Sequence, residues 1–199
     1  MKLYIVRHGK TDWNVARRLQ GRADIPLNEN GREIARKTAE GIRNIPIDFA
    51  ISSPLSRAKE TAEILVNKRK IPVYLDERLE EISFGVMEGQ IKNEQIDHFF
   101  HSPEIYQPPK GAESIPHLLS RTEEFLEELA SNPQLKEKNI LIATHGAATR
   151  ALLANIKHLS IKEFWSGSVP KNCGITLAEC ENGIYRIIWE DKIFYQEER

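Results

Sequence analysis

Short apolar runs that alternate with helical patterns are the feature of this sequence that most restricts its fold. Four runs, at residues 3–6, 49–51, 73–75 and 140–143, are bounded by polar or glycine-containing segments. Such runs are typical of strands that are buried on both faces of a sheet. Because helical patterns lie between them, we predict a mostly parallel sheet in a three-layer α/β/α sandwich.

Four segments carry helix signals. Apolar residues recur at helical spacing after Ser53, the predicted N-cap, and Pro54, which suits a first helical turn. Ser114 is predicted to cap another helix, and the remaining two are expected at residues 29–42 and 147–156.

A hairpin is expected near the end of the chain. Residues 175–179 and 185–189 flank Asn182 and Gly183, which are turn residues. We therefore predict an antiparallel β-hairpin at one edge of the sheet.

The size of the chain bounds its domain organisation. With 199 residues, of which 40% are hydrophobic, it fits a single domain over residues 1–199. Residues 89–111 contain aromatic residues and prolines without a clear period. We interpret them as an excursion from the core, a lid insertion that roofs a site.

Charge and cysteine content exclude several classes of protein. The formal net charge is −1, with 28 basic and 29 acidic residues, so we expect neither nucleic acid nor a membrane surface as a partner. Cys173 and Cys180 show no paired spacing, which indicates a reducing compartment without disulfide or zinc. Since the apolar runs are too short for a signal peptide or a membrane helix, we expect a cytoplasmic protein.

Basic side chains follow three of the predicted strands. Arg7 and His8 follow the first, Arg57 lies in the helix after the second, and His145 follows another. Each alone is more often a structural histidine or a solvated arginine. Ligands of open α/β sheets, however, bind beyond the carboxyl ends of the strands, beside helix N-termini that attract anions. Together these groups indicate a pocket for phosphate or carboxylate.

Four segments that contain these residues occur in a recognisable order. They are LYIVRHGKTDWNVARRLQGRADIPLNENG, ISSPLSRAKETA, RLEEISFGVMEG and ATHGAATRALL. Together, and through KNCGITLAE near the end, they resemble the histidine phosphatase superfamily, the phosphoglycerate mutase-like group. The aromatic and proline-rich insertion is similar to that of its PhoE-type broad-specificity phosphatases. The resemblance implies a metal-independent phosphatase that needs no cofactor.

The resemblance also implies roles for residues at the strand ends. His8 would attack the phosphoryl group, which Arg7, Arg57 and His145 would hold. Asn14, from the TDWN stretch, would add a side-chain donor. The arginines would stabilise charge on the transferring oxygens and lower the pKa of His8, so that the nucleophile stays neutral.

The proton donor is expected in the LEEI segment. Glu81 matches the carboxylate of the family that protonates the leaving oxygen and then activates water. Glu80 is the competing candidate, but we expect it to face solvent because Leu79 and Ile82 point inward.

Residues around the mouth of the pocket decide which leaving group fits. Gln20, Gly21 and Arg22 are candidates for the lining there, the first two as substrate-binding residues, although an ordinary loop is an equal alternative. The sequence departs from the usual residues of the family at Lys10, Val86 and Met87, all outside the catalytic set.

Two other functions remain open. A phosphoglycerate mutase would use the same phosphohistidine but must shield it from water, and the short insertion here favours hydrolysis. A catalytically inactive phosphate-binding module would not need the complete set of catalytic residues. The sequence contains that complete set, which argues against this alternative. His98 and His101 lack carboxylate or thiol neighbours, so no metal site is expected. The expected partner is a small phosphate ester, with the chain a monomer or a homodimer.

Overall fold

The computed structural model describes residues 1–91 and 94–195. The strands are β1 (Lys2–Arg7), β2 (Phe49–Ser52), β3 (Val73–Leu75), β4 (Asn139–Thr144), β5 (Ile175–Glu181) and β6 (Ile184–Lys192). The helices are α1 (Asp12–Val15), α2 (Glu29–Gly41), α3 (Ser56–Val66), α4 (Glu94–His101), α5 (Ile115–Ser131) and α6 (Gly146–Lys157). Short 3-10 turns lie at Asn67–Arg69, Glu77–Leu79, Gly85–Met87, Pro103–Ile105, Pro133–Leu135 and Ile161–Glu163.

All six strands belong to one mixed sheet, in the order β3-β2-β4-β1-β5-β6. Strands β1 to β4 pair in parallel, whereas β5 and β6 are antiparallel. The predicted sheet and its hairpin at the edge are thus confirmed. The hairpin turn places Asn182 and Gly183 at positive φ, 52° and 80°, which these two residue types tolerate well.

Side chains of β1 alternate between two layers of helices. Tyr4 and Val6 pack with α3, whereas Leu3 and Ile5 pack with α5 and α6 on the opposite face. The predicted three-layer sandwich is therefore confirmed. Strand β3 is an exception to the prediction of strands buried on both faces, because as an edge strand it leaves Tyr74 58% and Leu75 52% exposed.

The two predicted N-caps have different outcomes. Ser114 caps α5 as expected, and its side chain accepts a hydrogen bond from the backbone of His117. The prediction for Ser53 is wrong, because α3 begins later, at Ser56, with Leu55 in the cap position and no side-chain cap. The Ser53 hydroxyl instead accepts from the backbone N–H of Leu55 and contacts His145.

The insertion is more regular than its sequence indicated. Residues 94–101 form α4, whose Ile96 and Phe99 are fully buried against α6. Residues 92 and 93 lie outside the described part of the chain. His98 and His101 are exposed on α4, and no metal-binding group of His, Cys, Asp or Glu occurs among the residues that the structure describes.

Two further findings concern the whole described chain. Cys173 and Cys180 are free thiols. Within residues 1–91 and 94–195, no helix combines the length and the apolar character that crossing a bilayer requires.

Candidate active site

A cavity of about 550 Å³ opens at the carboxyl ends of β1 and β4. Because these strands and β2 run in parallel, the residues that follow them meet at the same edge of the sheet. Seven of the eight predicted site residues line this cavity: Arg7, His8, Asn14, Gln20, Gly21, Arg57 and Glu81. The eighth, His145, is fully buried and packs against the ring of His8.

His8 is oriented by the peptide of its neighbour Gly9. The Nδ1 atom lies 2.7 Å from the carbonyl oxygen of Gly9, which makes Nδ1 the protonated nitrogen of a neutral ring. The lone pair then lies on Nε2. The Gly9 peptide is itself held, because its N–H donates to Thr61 Oγ1 at 3.0 Å and its carbonyl accepts from Asn172 Nδ2 at 3.2 Å.

The surroundings of His8 disfavour its protonated form. The side chain is only 3% exposed. Burial lowers the pKa of His8 well below its ordinary 6.5, and the charges of Arg57 and Arg7 lower it further. His8 is thus a neutral nitrogen base beside two cations.

Arg57 is buried although it lies in the first turn of α3. Its terminal nitrogens donate to the carbonyls of Ala23, at 2.8 Å, and Gly21, at 2.7 Å. Its Nε is buried and has no hydrogen-bond partner in the part of the chain that the structure describes. Burial lowers the pKa of Arg57 to about 10, which still leaves the guanidinium charged at neutral pH.

Arg7 presents a second guanidinium in the same way. Its Nη1 donates to the carbonyl of Pro170 at 2.6 Å, while its buried Nε is without a partner among the described residues. Burial lowers the pKa of Arg7, against the opposing charge of Glu81. Both arginines are therefore anchored through Nη atoms and retain an unused Nε donor.

His145 occupies the N-cap position of α6 but makes no side-chain cap there. Its Nε2 lies 2.8 Å from Ser53 Oγ, and its Nδ1 is buried without a partner among the described residues. We assign the ring proton of the neutral imidazole to Nδ1, with the Ser53 hydroxyl donating to Nε2. Burial, followed by the charge of Arg57, lowers the pKa of His145 well below 6.5.

Glu81 supplies the cap that His145 does not. Its Oε2 accepts from the backbone of Ala147 at 3.1 Å, and its Oε1 accepts from Ala148 and Ile82 at 3.0 Å each. A carboxyl group at a helix N-terminus is favoured by the helix dipole. Glu80 lies outside the cavity lining and pairs with Arg22 at 3.2 Å.

The mouth of the cavity is formed by α1 and the loop that follows it. The backbone N–H of Thr11 donates to Asn14 Oδ1 at 3.1 Å. The side-chain oxygen of Asn14 is thus occupied, and its side-chain NH₂ group is the one that can donate to a ligand. Gln20 Oε1 accepts from the hydroxyl of Thr11 at 3.0 Å. Gly21 has φ of +53°, and a Cβ there would lie 2.2 Å from Glu88 Oε1. A side chain at this position would be strained and would displace the carboxyl group of Glu88.

One wall of the cavity is aromatic. The lining includes Phe99 and Phe100 of the insertion, whereas Tyr106, another aromatic residue of the insertion, lies outside the lining and packs against Phe99. Sequence reasoning missed three further aromatic members of the wall: Trp13, Phe84 and Trp165. Trp165 Nε1 donates to the carbonyl of Phe99 at 2.6 Å and so joins a distant loop to the insertion.

Sequence reasoning also missed two residues that hold the main chain at His8. Asn172 donates to the carbonyls of His8, at 2.9 Å, and Gly9. Thr61 accepts from the N–H of Gly9. The only signal for either residue was its position in a quoted segment, KNCGITLAE for Asn172 and ISSPLSRAKETA for Thr61.

Comparison with known proteins gives consistent matches. The model of the histidine phosphatase superfamily (branch 1) matches residues 3–191. The uncharacterized phosphatase PhoE of Bacillus subtilis is 36% identical over 152 residues, which cover 76% of this chain and 75% of PhoE. The probable phosphoglycerate mutase GpmB of Proteus mirabilis is 33% identical over 190 residues, which cover 92% and 86%. The structure of Bacillus stearothermophilus YhfR superposes with a TM-score of 0.90 at 33% identity, covering 96% of this chain and 97% of YhfR.

Proposed function

This chain belongs to the histidine phosphatase superfamily (branch 1), and on that premise we propose that it hydrolyses phosphomonoesters through a phosphohistidine formed on His8. One observation carries the proposal. Arg7 Nε, Arg57 Nε and His145 Nδ1 are buried without partners among the described residues, around a histidine with a free Nε2. Buried donors without partners cost free energy, so their occurrence together indicates a ligand with several acceptor oxygens. A phosphoryl group has that character.

The first chemical step follows from this arrangement. His8 Nε2 attacks phosphorus, the bond from phosphorus to the ester oxygen breaks, and the leaving oxygen takes a proton from Glu81. Arg7 and Arg57 stabilise the charge on the equatorial oxygens of the transferring group. Because these donors are already fixed by the carbonyls of Pro170, Gly21 and Ala23, little reorganisation is needed during the reaction.

The second step returns the site to its starting state. Glu81, now a carboxylate, accepts a proton from the water that attacks the phosphohistidine, and inorganic phosphate leaves. Asn14, Gln20 and Gly21 are proposed to contact the substrate at the mouth of the cavity. All of these donors are arginine, histidine or amide groups, so the proposed chemistry needs no metal ion.

Phosphoglycerate mutase activity is the second candidate, because the relative from Proteus mirabilis is named a probable mutase. The aromatic wall of the cavity favours esters other than phosphoglycerate, since Phe84, Phe100 and Trp165 offer an apolar surface to the leaving group. We therefore propose small phosphate esters with apolar or aromatic leaving groups as the substrate class.

A screen of phosphomonoesters tests the proposed function. Phosphate release would be followed for aryl, alkyl and sugar phosphates and compared as kcat/KM. In parallel, the conversion of 3-phosphoglycerate to 2-phosphoglycerate would be measured in the presence of 2,3-bisphosphoglycerate. We expect phosphate release from aryl esters to dominate. Interconversion of the phosphoglycerates faster than any hydrolysis would identify a mutase, and inactivity on every ester would contradict the proposal.

A further inference from the structure

The main chain that carries Glu81 is held by side chains from other elements. Glu81 lies in an irregular segment that follows the 3-10 turn Glu77–Leu79. Arg121 of α5 donates from Nη1 to the carbonyl of Arg78 at 2.6 Å and from Nη2 to that of Glu81 at 3.2 Å. Thr144 donates to the carbonyl of Leu79 at 2.7 Å. Side chains therefore accept the role that a neighbouring strand has in a sheet, because they donate to the backbone carbonyl groups of this irregular segment.

Arg121 is itself fixed by a bidentate ion pair with Glu113. Arg121 Nε lies 2.7 Å from Glu113 Oε1, and Nη2 lies 2.9 Å from Oε2. Both residues are buried, each with 8% exposure. The planar fork of arginine matches a carboxylate in this geometry and leaves the guanidinium one orientation.

Glu113 also reaches the segment on the other side of Glu81. The N–H of Glu113 donates to the carbonyl of Ser83 at 2.9 Å, and its Oε2 lies 3.4 Å from the N–H of Ser83. Arg22 adds a weaker contact, because its side chain is 41% exposed and its Nε lies 3.4 Å from the carbonyl of Glu81. The ion pair therefore holds the chain both before and after Glu81.

Glu113 is ionised in this position. Burial alone would raise the pKa of its carboxyl, but the hydrogen bonds and charge of Arg121, with His117 and Arg22, hold the pKa below its ordinary value. A buried ion pair gives little net stability compared with apolar residues of similar shape. Its effect here is to fix geometry.

We propose that Arg121, oriented by Glu113, is a positioning residue for the carboxyl group of Glu81. This inference rests on the proposed function, in which Glu81 protonates the leaving oxygen. Neither Arg121 nor Glu113 lines the cavity, so neither touches the substrate. By holding the Glu81 carbonyl, Arg121 keeps the carboxyl on the backbone N–H groups of Ala147 and Ala148, in the lining of the cavity. A displacement of about 1 Å from such a position costs on the order of 10² in rate.

The dependence of the rate on the leaving group tests this role. Dinitrophenyl phosphate needs almost no proton donation, whereas phenyl phosphate depends on it, and kcat/KM reports the step that forms phosphohistidine. For Arg121→Met and Glu113→Gln we expect kcat/KM to fall about 10- to 100-fold with phenyl phosphate and less than about threefold with dinitrophenyl phosphate. Arg121→Lys should recover part of the loss.

Arg69→Met is the matched control. Arg69 is a partly buried arginine that also donates to a backbone carbonyl, that of Ile45, but it lies outside the cavity lining. Its replacement should leave the ratio of the two kcat/KM values unchanged. A role of Arg121 in stability alone would lower both values equally, as in the control, and would overturn the proposal.

A double-mutant cycle completes the test. Once Glu81→Gln has removed the acid, adding Arg121→Met should cause no further loss with phenyl phosphate, because the two residues act through one group. Multiplicative losses would overturn the positioning role while leaving phosphohistidine chemistry intact. If Arg121→Met does not fold, as judged by circular dichroism, Arg121→Lys and Glu113→Gln decide the outcome. A parent enzyme without phosphatase activity would instead overturn the proposed function, and this inference with it.

Discussion

The rings of His8 and His145 lie 5.1 Å apart between centroids and are inclined at 57°. Both rings are buried beside Arg57, and the pKa of each is held well below 6.5. Two neutral imidazoles can divide the work of one phosphoryl transfer. His8 offers the lone pair of Nε2, whereas His145, through its contact with Ser53, offers a proton on Nδ1.

Trapping of the covalent intermediate separates the roles of His8 and Glu81. Each variant would be mixed with dinitrophenyl phosphate, quenched in base to preserve the acid-labile bond, and assayed for protein-bound phosphate. We expect label on Glu81→Gln and none on His8→Ala. General acid–base catalysis contributes about 10² to 10⁴ in rate, so Glu81→Gln should be slow but still able to form phosphohistidine.

Two outcomes of this experiment would require reassignment. Near-normal turnover by a folded His8→Ala protein would exclude His8 as the nucleophile. Turnover of phenyl phosphate by Glu81→Gln at the parent rate would exclude only Glu81, with Glu80 and Glu88 as the next carboxylates to test.

Chelators should leave the activity unchanged, because the site supplies arginine and histidine donors to the phosphoryl group. Vanadate, which adopts the geometry of the transferring group, should inhibit by occupying the unused Nε donors of Arg7 and Arg57. The assay compares phosphate release with and without EDTA, and then across vanadate concentrations. Loss of activity in EDTA that a divalent ion restores would contradict the mechanism.

The aromatic wall should determine substrate preference. Phe100 lines the cavity and is only partly buried, so Phe100→Ala removes apolar contact area at small cost to the core. We expect kcat/KM for naphthyl phosphate to fall about 10-fold, as one lost aromatic contact of roughly 1–2 kcal/mol implies, with methyl phosphate nearly unaffected. Val15→Ala, an exposed residue outside the cavity lining, is the control.

A faster parent reaction with 3-phosphoglycerate or small sugar phosphates than with aryl phosphates would show that this wall does not bind the leaving group. Equal losses on both esters in Phe100→Ala would lead to the same conclusion.

Stability should fall as the pH drops below about 6.5, the pKa of histidine in the unfolded chain. The folded protein keeps His8 and His145 neutral, so below this pH the unfolded chain binds protons that the folded protein does not. Each histidine then lowers the free energy of unfolding by roughly 1.4 kcal/mol per pH unit until its lowered folded pKa is reached. Above pH 6.5 this contribution is fully retained.

Urea unfolding between pH 7.5 and 5.0 measures the effect. This window lies above the range in which Asp76 and Glu113, whose pKa values are lowered, would lose their own contributions. The variant carrying both His8→Asn and His145→Asn should show a shallower pH dependence than the parent. An identical slope in the two proteins would contradict the assignment of neutral, buried imidazoles.

Local sequence patterns were sufficient to predict the framework. The apolar runs of β1 and β4, the Ser114 cap and the Asn182–Gly183 turn each depend on neighbouring residues, so a short window contains the relevant information. Parallel strands share one edge for their carboxyl ends, and for that reason the residues that follow them could be grouped before any distance was known.

Contacts between distant residues were decided only by the tertiary structure. Asn172 holds the carbonyl of His8 across 164 positions, and Ser53, predicted as a cap, contacts His145 across 92. Trp165 meets Phe99 from a loop that carries no helical or strand period. Hydrogen bonds and packing between such residues depend on where the folded chain brings them together, and no local pattern records that position. The sequence by itself determined which basic side chains follow the strands at one edge of the sheet. Tertiary packing decided which nitrogen of Arg7, Arg57 and His145 has no hydrogen-bond partner among the described residues.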